Sequence, residues 1–189
     1  MRIGICGAQG TGKRLLARMI SQKLGLPLIE GTARTTAHEM GIHSEYGLKD
    51  LPIDELIDFE KRCLADQSHS EALHPDGFVT ARTVIDSAAY WLSWAHSGAP
   101  HDDRLWFITT ARFHAKDYDL IVWSRPYTEA EIEFDGFRIN DPLYQREIDI
   151  LIGTLIGGWG VKPIIVDDRN PGKRVSQVLD AVREMKEAS

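Results

Sequence analysis

Two rhythms of apolar and polar positions alternate along the chain. Short, mostly apolar runs at Arg2–Cys6, 26–29, Phe78–Thr80, Leu120–Ser124 and 163–166 are each followed by a longer stretch with helical spacing. In the first of those stretches Leu16, Ala17, Ile20 and Leu24 fall on one helical face, and Gly25 and Pro27 stop it. Further helices are predicted at 35–40 (closed by Gly41), 54–73 (with Asp54 as N-cap), 83–96, 102–116, 142–156 and 175–186. The runs lack polar alternation, as strands covered on both faces do. Strands alternating with helices predict an α/β fold: a five-stranded parallel sheet with helices on both faces. Ligands of such sheets bind at the carboxyl ends of the strands.

The first strand ends in candidate chemistry. Gly7-Ala8-Gln9-Gly10-Thr11-Gly12-Lys13 fits G-x-x-x-x-G-K between a strand and a helix, the context in which that motif cradles phosphate. Glycines let backbone N–H groups turn inward, and the helix N-terminus adds partial positive charge. Lys13 supplies a point charge for the β- and γ-phosphates. Arg14 stands where a Ser or Thr normally holds Mg²⁺; it either contacts phosphate or points to solvent.

Composition narrows the partners. A net charge of −6 argues against a non-specific nucleic-acid coat, while leaving room for a local basic groove. Two cysteines, Cys6 and Cys63, are too few for a disulfide framework, which points to a reducing, cytoplasmic setting. The longest uncharged run, 150–161, falls short of the ~20 residues of a membrane span, and no targeting segment is evident. The seven histidines show no ligand pair on a shared helix face, so no metal site is assigned to them. A single domain over residues 1–189 is expected.

Four features in order make the chain resemble the small P-loop kinases of the thymidylate-kinase and ribosylnicotinamide-kinase groups. They are the glycine loop, Glu30-Gly31-Thr32-Ala33-Arg34 after the second strand, the stretch from Thr80 to Asp86 after the third, and an arginine-containing excursion after the fourth that includes Asp135-Gly136-Phe137-Arg138. The resemblance implies a P-loop NTPase fold with a small lid within 125–146, and transfer of the γ-phosphate of ATP with Mg²⁺. It implies Glu30 as the base on the acceptor hydroxyl, with Asp86 as its rival. Lys13, Arg82 and Arg138 would act on the phosphates, Arg138 from the lid beside Gly136. The cofactor loop would comprise Gly7, Ala8, Gln9, Gly10, Thr11, Gly12, Lys13 and Arg14. Ala81 stands where these kinases carry the acid that assists Mg²⁺.

Between the third and fourth strands, Tyr90, Trp91, Trp94, Trp106 and Phe113 are interleaved with cations. Aromatic faces stack on bases, though tryptophans and alanines at helical spacing are also the stuff of cores. A narrower resemblance is to bacteriophage kinases that phosphorylate the hydroxymethyl group of 5-hydroxymethyluracil in DNA during thymine hypermodification, and this is the specific acceptor expected. A free nucleoside or nucleoside monophosphate is the alternative. A nucleotide-binding regulatory module without transfer is the third reading.

Overall fold

The computed structural model describes residues 1–127, 137 and 139–188. Strands β1 (Arg2–Cys6), β2 (Leu28–Ile29), β3 (Phe78–Thr80), β4 (Leu120–Ser124) and β5 (Ile164–Val166) form one parallel sheet in the order β2-β3-β1-β4-β5. The helices are α1 (Lys13–Leu24), α2 (Ala33–Glu39), α3 (Glu45–Lys49), α4 (Ile53–Ala72), α5 (Val84–Trp94), α6 (His101–His114), α7 (Pro142–Trp159) and α8 (Pro171–Glu187). The expected α/β architecture with helices on both faces is present.

Side chains of β1 alternate between two cores, as the pleat requires. Ile3 and Ile5 join Leu16, Ala17 and Ile20 of α1 and Val175, Val178 and Val182 of α8. Cys6 joins the larger core on the other face, with Phe59 and Leu64 of α4, Trp91 of α5, Phe107 of α6 and Ile152 of α7. Trp91 is fully buried and stacks on Phe107 at 4.3 Å between ring centroids. Burying a side chain of that size contributes roughly 2–3 kcal/mol. Trp91 is therefore core, whereas Trp106 and Phe113 are exposed.

Several boundaries differ from the sequence expectations for local reasons. Strand β2 has two residues rather than four, although the Pro27 carbonyl still accepts from Val79 N. Pro lacks the N–H needed to extend the ladder. Asp54 lies within the first turn of α4, whose N-cap is Pro52. Thr83 caps α5 instead of belonging to it, in a capping box with Asp86. Helix α8 starts at Pro171, four residues earlier than expected, behind an Asn170 cap. Helix α7 runs on to Trp159 and stops at left-handed Gly160. Helix α3 has no counterpart among the expected elements; its local signal is the Ser44 cap, which accepts from Gly47 N.

The phosphate-loop end of β1 leaves no room for side chains. Gly7 has φ 152°, and a Cβ there would lie 2.2 Å from the Ser124 carbonyl oxygen. Gly7→Ala is expected to destabilise the fold by on the order of 3 kcal/mol, because backbone would have to move. Gly157, inside α7, has nothing within 4 Å of an added methyl, so Gly157→Ala should stabilise by about 1 kcal/mol. Urea unfolding of the two variants checks both signs; similar midpoints would refute the steric account.

Candidate functional site

The glycine loop between β1 and α1 is held from four other elements. Gly7 N donates to Asp86 Oδ1 (3.1 Å) on α5. Gln145 Nε2 on α7 donates to the Gln9 carbonyl (2.6 Å), and Tyr90 OH on α5 donates to Gln9 Oε1 (3.1 Å). Ser124 Oγ at the end of β4 donates to the Thr11 carbonyl (2.9 Å). Arg174 on α8, almost fully buried, donates from Nη1 to the Thr11 carbonyl (2.8 Å) and to Ser124 Oγ (2.9 Å), and from Nε to the Asp168 carbonyl. Burial lowers its pKa below the usual arginine value, yet arginine stays charged at any ordinary pH. Gly10 and Gly12 adopt φ 76° and 79°, left-handed values that favour glycine. No side chain caps α1, so its first-turn N–H groups face the loop.

Lys13 Nζ donates to the carbonyls of Gly7 and Ala8 and lies 3.6 Å from Asp86 Oδ1. Asp86 is buried, and its Oδ2 also accepts from Thr83 N (2.9 Å) and Thr83 Oγ1 (2.8 Å). The sequence marks Asp86 as structural or as a rival base. It is a structural cap that also grips the phosphate loop, 79 residues away in sequence.

A cleft of about 370 Å³ opens beside this loop, within the size range of small-ligand sites. Residues 9–15 form one wall. Gly31, Ala33 and Arg34 come from the loop after β2, Glu45 and Leu48 from α3, Phe59 from α4, Arg82 and Asp86 from beyond β3, and Tyr90 and Trp94 from α5. The stem of Arg82 packs on Gly31, where a Cβ would lie 3.1 Å from Arg82 Cβ, and its guanidinium lies 5.0 Å from the Tyr90 ring centroid. Its Nε is buried without a hydrogen-bond partner. Burial pulls the Arg82 pKa down, but neighbouring Cys63, Glu60, Tyr90 and Asp86 pull it up more, leaving it raised. Behind Arg82, its backbone carbonyl accepts from Thr80 Oγ1 (2.8 Å), which accepts from Gln67 Nε2 (3.0 Å). Gln67 in turn donates to Glu71, which also accepts from Tyr118 OH (2.7 Å). Burial and Glu71 hold the Tyr118 hydroxyl in its protonated form.

The remaining sequence candidates distribute unevenly. Arg14 is exposed and lines the cleft. Glu30, at the end of β2, is half-exposed and pairs with Arg18 of α1 (3.4 Å); the cleft wall takes its neighbours Gly31 and Arg34 instead. At the two ends of the expected lid region 125–146, Arg125 pairs with Asp149 (3.0 Å) and Arg146 is exposed. Arg138, like Asp135 and Gly136, lies outside the described residues. Phe137 and Ile139 on either side of it are tied to α3: Glu45 N donates to the Phe137 carbonyl (2.8 Å), and Ile139 N donates to Glu45 Oε2 (2.7 Å).

The described residues do not form a direct ligand set for Mg²⁺. Arg14 and Ala81 occupy the two positions that would supply oxygens, and both oxygens of Asp86 are already engaged. Among the described residues no group of three or more His, Cys, Asp or Glu side chains is arranged to hold a metal. No helix among them is long and apolar enough to cross a membrane.

The geometry agrees with what comparison finds. The chain is similar in structure to the NadR protein in complex with NR (TM-score 0.71, 22% identity), with 96% of this chain aligned to 50% of that one. It thus spans half the length of NadR. It is also similar to deoxyadenosine kinase from M. mycoides with bound dATP (TM-score 0.68, 15% identity, 97% and 100% of the two chains). A more distant likeness is to shikimate kinase from Acinetobacter baumannii in complex with shikimate (TM-score 0.52, 12% identity, 98% and 94%). These likenesses show the P-loop kinase fold. No curated protein sequence matches. The family model of the AAA domain matches residues 2–174, from the first strand through the buried arginine of α8, and the chain belongs to that family.

Proposed function

We propose that the chain is an ATP-dependent phosphotransferase acting on a hydroxyl of a nucleoside-type acceptor. The observation that carries this is the pairing, in one cleft, of a rigidly held phosphate loop with Arg82, a guanidinium whose Nε is buried without a hydrogen-bond partner. The loop N–H groups and the α1 N-terminus would receive the triphosphate. Lys13 would exchange the Gly7 and Ala8 carbonyls for phosphate oxygens, and Asp86 would keep its stem aligned. Phosphoryl transfer leaves the protein mostly positioning and charge stabilisation. Arg82 is placed to neutralise charge on the equatorial oxygens as the bond to the leaving group breaks. Mg²⁺ would arrive on the ATP oxygens, since the described residues offer it no direct ligands. NadR with NR and deoxyadenosine kinase with dATP support an acceptor of nucleoside type.

Glu30 is the proposed base. Its pairing with Arg18 does not hold it out of the cleft, because an exposed ion pair contributes only about 0–1 kcal/mol. Arg138 is proposed to act on the transferring phosphate. The finer acceptor, 5-hydroxymethyluracil in DNA, is proposed as one arm of the assay. A flipped base needs only a local pocket and a few phosphate contacts.

Transfer of γ-labelled phosphate from ATP with Mg²⁺ tests the proposal on three acceptor sets: free nucleosides, nucleoside monophosphates, and DNA with and without 5-hydroxymethyluracil. Label on one of them is expected. Lys13→Ala and Arg82→Ala should each lower transfer at least ~100-fold, the scale of losing a charge made for the transition state. Glu30→Gln should lower kcat by a similar factor with ATP affinity retained. Nucleotide binding with no transfer to any acceptor would leave a regulatory module. Unchanged transfer by Lys13→Ala would refute the phosphate site.

A further inference from the structure

Among the described residues four buried carboxylates have donors. Glu71 accepts from Gln67 and Tyr118, Asp86 from Gly7 and Thr83, Asp149 from Trp123 and Arg125, and Glu45 from Ile139. Glu60 on α4 does not. It has no exposure at all, and neither carboxylate oxygen has a hydrogen-bond partner. An unpartnered buried carboxylate is strongly unfavourable, and a fold retains one only where something else compensates.

The surroundings indicate what would compensate. Glu60 is not itself in the cleft wall, but Phe59, which precedes it, is, and the charge acting on it is that of Arg82, which also lines the cleft. Other buried polar atoms without partners include Gln9 Nε2, Arg82 Nε, Ser87 Oγ, Trp94 Nε1 and Tyr144 OH. Gln9, Arg82 and Trp94 are cleft residues, and Tyr90, Trp94 and Tyr144 pack ring against ring at 5.1–6.5 Å between centroids. Unpartnered donors and acceptors thus come from the loop, α4, α5 and α7, and three of the residues that carry them line the cleft. An apolar ligand would leave them all unsatisfied.

Resting on the phosphotransferase reading, we infer that Glu60 is the specificity-determining carboxylate of the acceptor subsite, receiving paired N–H or O–H donors of a nucleoside. Two edges of a nucleoside carry such a pair: the sugar 2′,3′-diol and the amino/ring N–H edge of guanine. Trp94 Nε1 and Gln9 Nε2 supply donors for the acceptor's oxygens or ring nitrogens. Glu60 binds the acceptor and does not take the proton in transfer. Its loss therefore raises the acceptor's dissociation constant and leaves ATP binding intact.

Titration supports the same picture. Burial pushes the Glu60 carboxyl up to about 7 from 4.5, with Arg82 opposing. The other groups sensing its charge are the Cys63 thiol and the Tyr144 hydroxyl, both also raised by burial. The folded state therefore prefers Glu60 protonated. That contribution to stability is full below pH 4.5 and is lost as pH rises through about 7.

The test uses the full chain as wild type, Glu60→Gln and Glu60→Leu. Probes are adenosine, guanosine, cytidine, uridine and their 2′-deoxy forms, with AMP-PNP present, read by thermal shift and calorimetry. At least one nucleoside is expected to bind the wild type, with a dissociation constant raised 30-fold or more by Glu60→Gln and AMP-PNP affinity within twofold. A response confined to ribonucleosides assigns the donor pair to the sugar; one that follows the base and ignores the 2′-hydroxyl assigns it to the base edge. Equal nucleoside binding by Glu60→Gln overturns the inference, as does a wild type that binds AMP-PNP but no nucleoside. Failure to bind AMP-PNP would overturn the phosphotransferase reading itself, and the inference with it. Without nucleoside, the melting temperature of Glu60→Gln should pull several degrees above that of the wild type between pH 5 and pH 8. A pH-independent difference would show that the carboxylate already has its partner, and would overturn the inference too.

Discussion

The site depends on one buried carboxylate. Asp86 caps α5 through Thr83, holds the amide of Gly7, and faces Lys13. A carboxylate taken from water must recover its lost solvation from charge and hydrogen bonds. Asp86 recovers it from the phosphate loop itself. The same interaction that makes its burial tolerable therefore sets where the loop begins and where the lysine stem points. Arg174 plays the complementary part at the loop's other end, binding the carbonyl of Thr11 and linking it to β4 and α8. With both ends pinned, the loop's backbone N–H groups are oriented before any phosphate arrives, which spares the reorganisation cost at the moment of reaction.

The two halves of the cleft follow opposite electrostatic rules. At the phosphate end the carbonyls of Gly7, Ala8, Gln9 and Thr11 and the amide of Gly7 are already engaged within the protein. Away from the loop Glu60, Arg82, Trp94 and Tyr144 retain unmatched polar atoms, and Arg82 and Trp94 line the proposed acceptor side of the cleft. Ready-made order suits a polyphosphate, whose geometry is the same in every turnover. Unmatched groups suit selection, because an acceptor lacking the right donors leaves them buried and unpaired. Stability given up around Glu60 is consistent with that division, since functional sites are where proteins tolerate such costs.

Between the halves lies Arg82. Gly31 and Tyr90 flank it, and the Gln67–Glu71–Tyr118 network supports the backbone that carries it. That network reaches from α4 and Tyr118, just before β4, across the larger core, and it ends on the carbonyl of Arg82, the residue proposed to meet the transferring phosphate. Rigid placement matters there because phosphoryl transfer relies on position and charge more than on covalent chemistry.

Local signals in the chain determined the strand–loop–helix unit of residues 2–24, the five strands and most helices. Their causes are short range: apolar runs, glycines with positive φ, and caps within four residues. They also determined Lys13 and Arg82 as cleft residues, since each follows a strand whose carboxyl end the fold turns toward the ligand. The tertiary structure decided the rest. Asp86 and Gly7 are 79 residues apart and Arg174 and Thr11 are 163 apart. Glu60 looks in sequence like any acid on an amphipathic helix. Whether such a carboxylate is solvated, paired or stranded depends on which helices pack against it. Packing is a property of the whole sheet's topology, so no pattern within one helix reveals it.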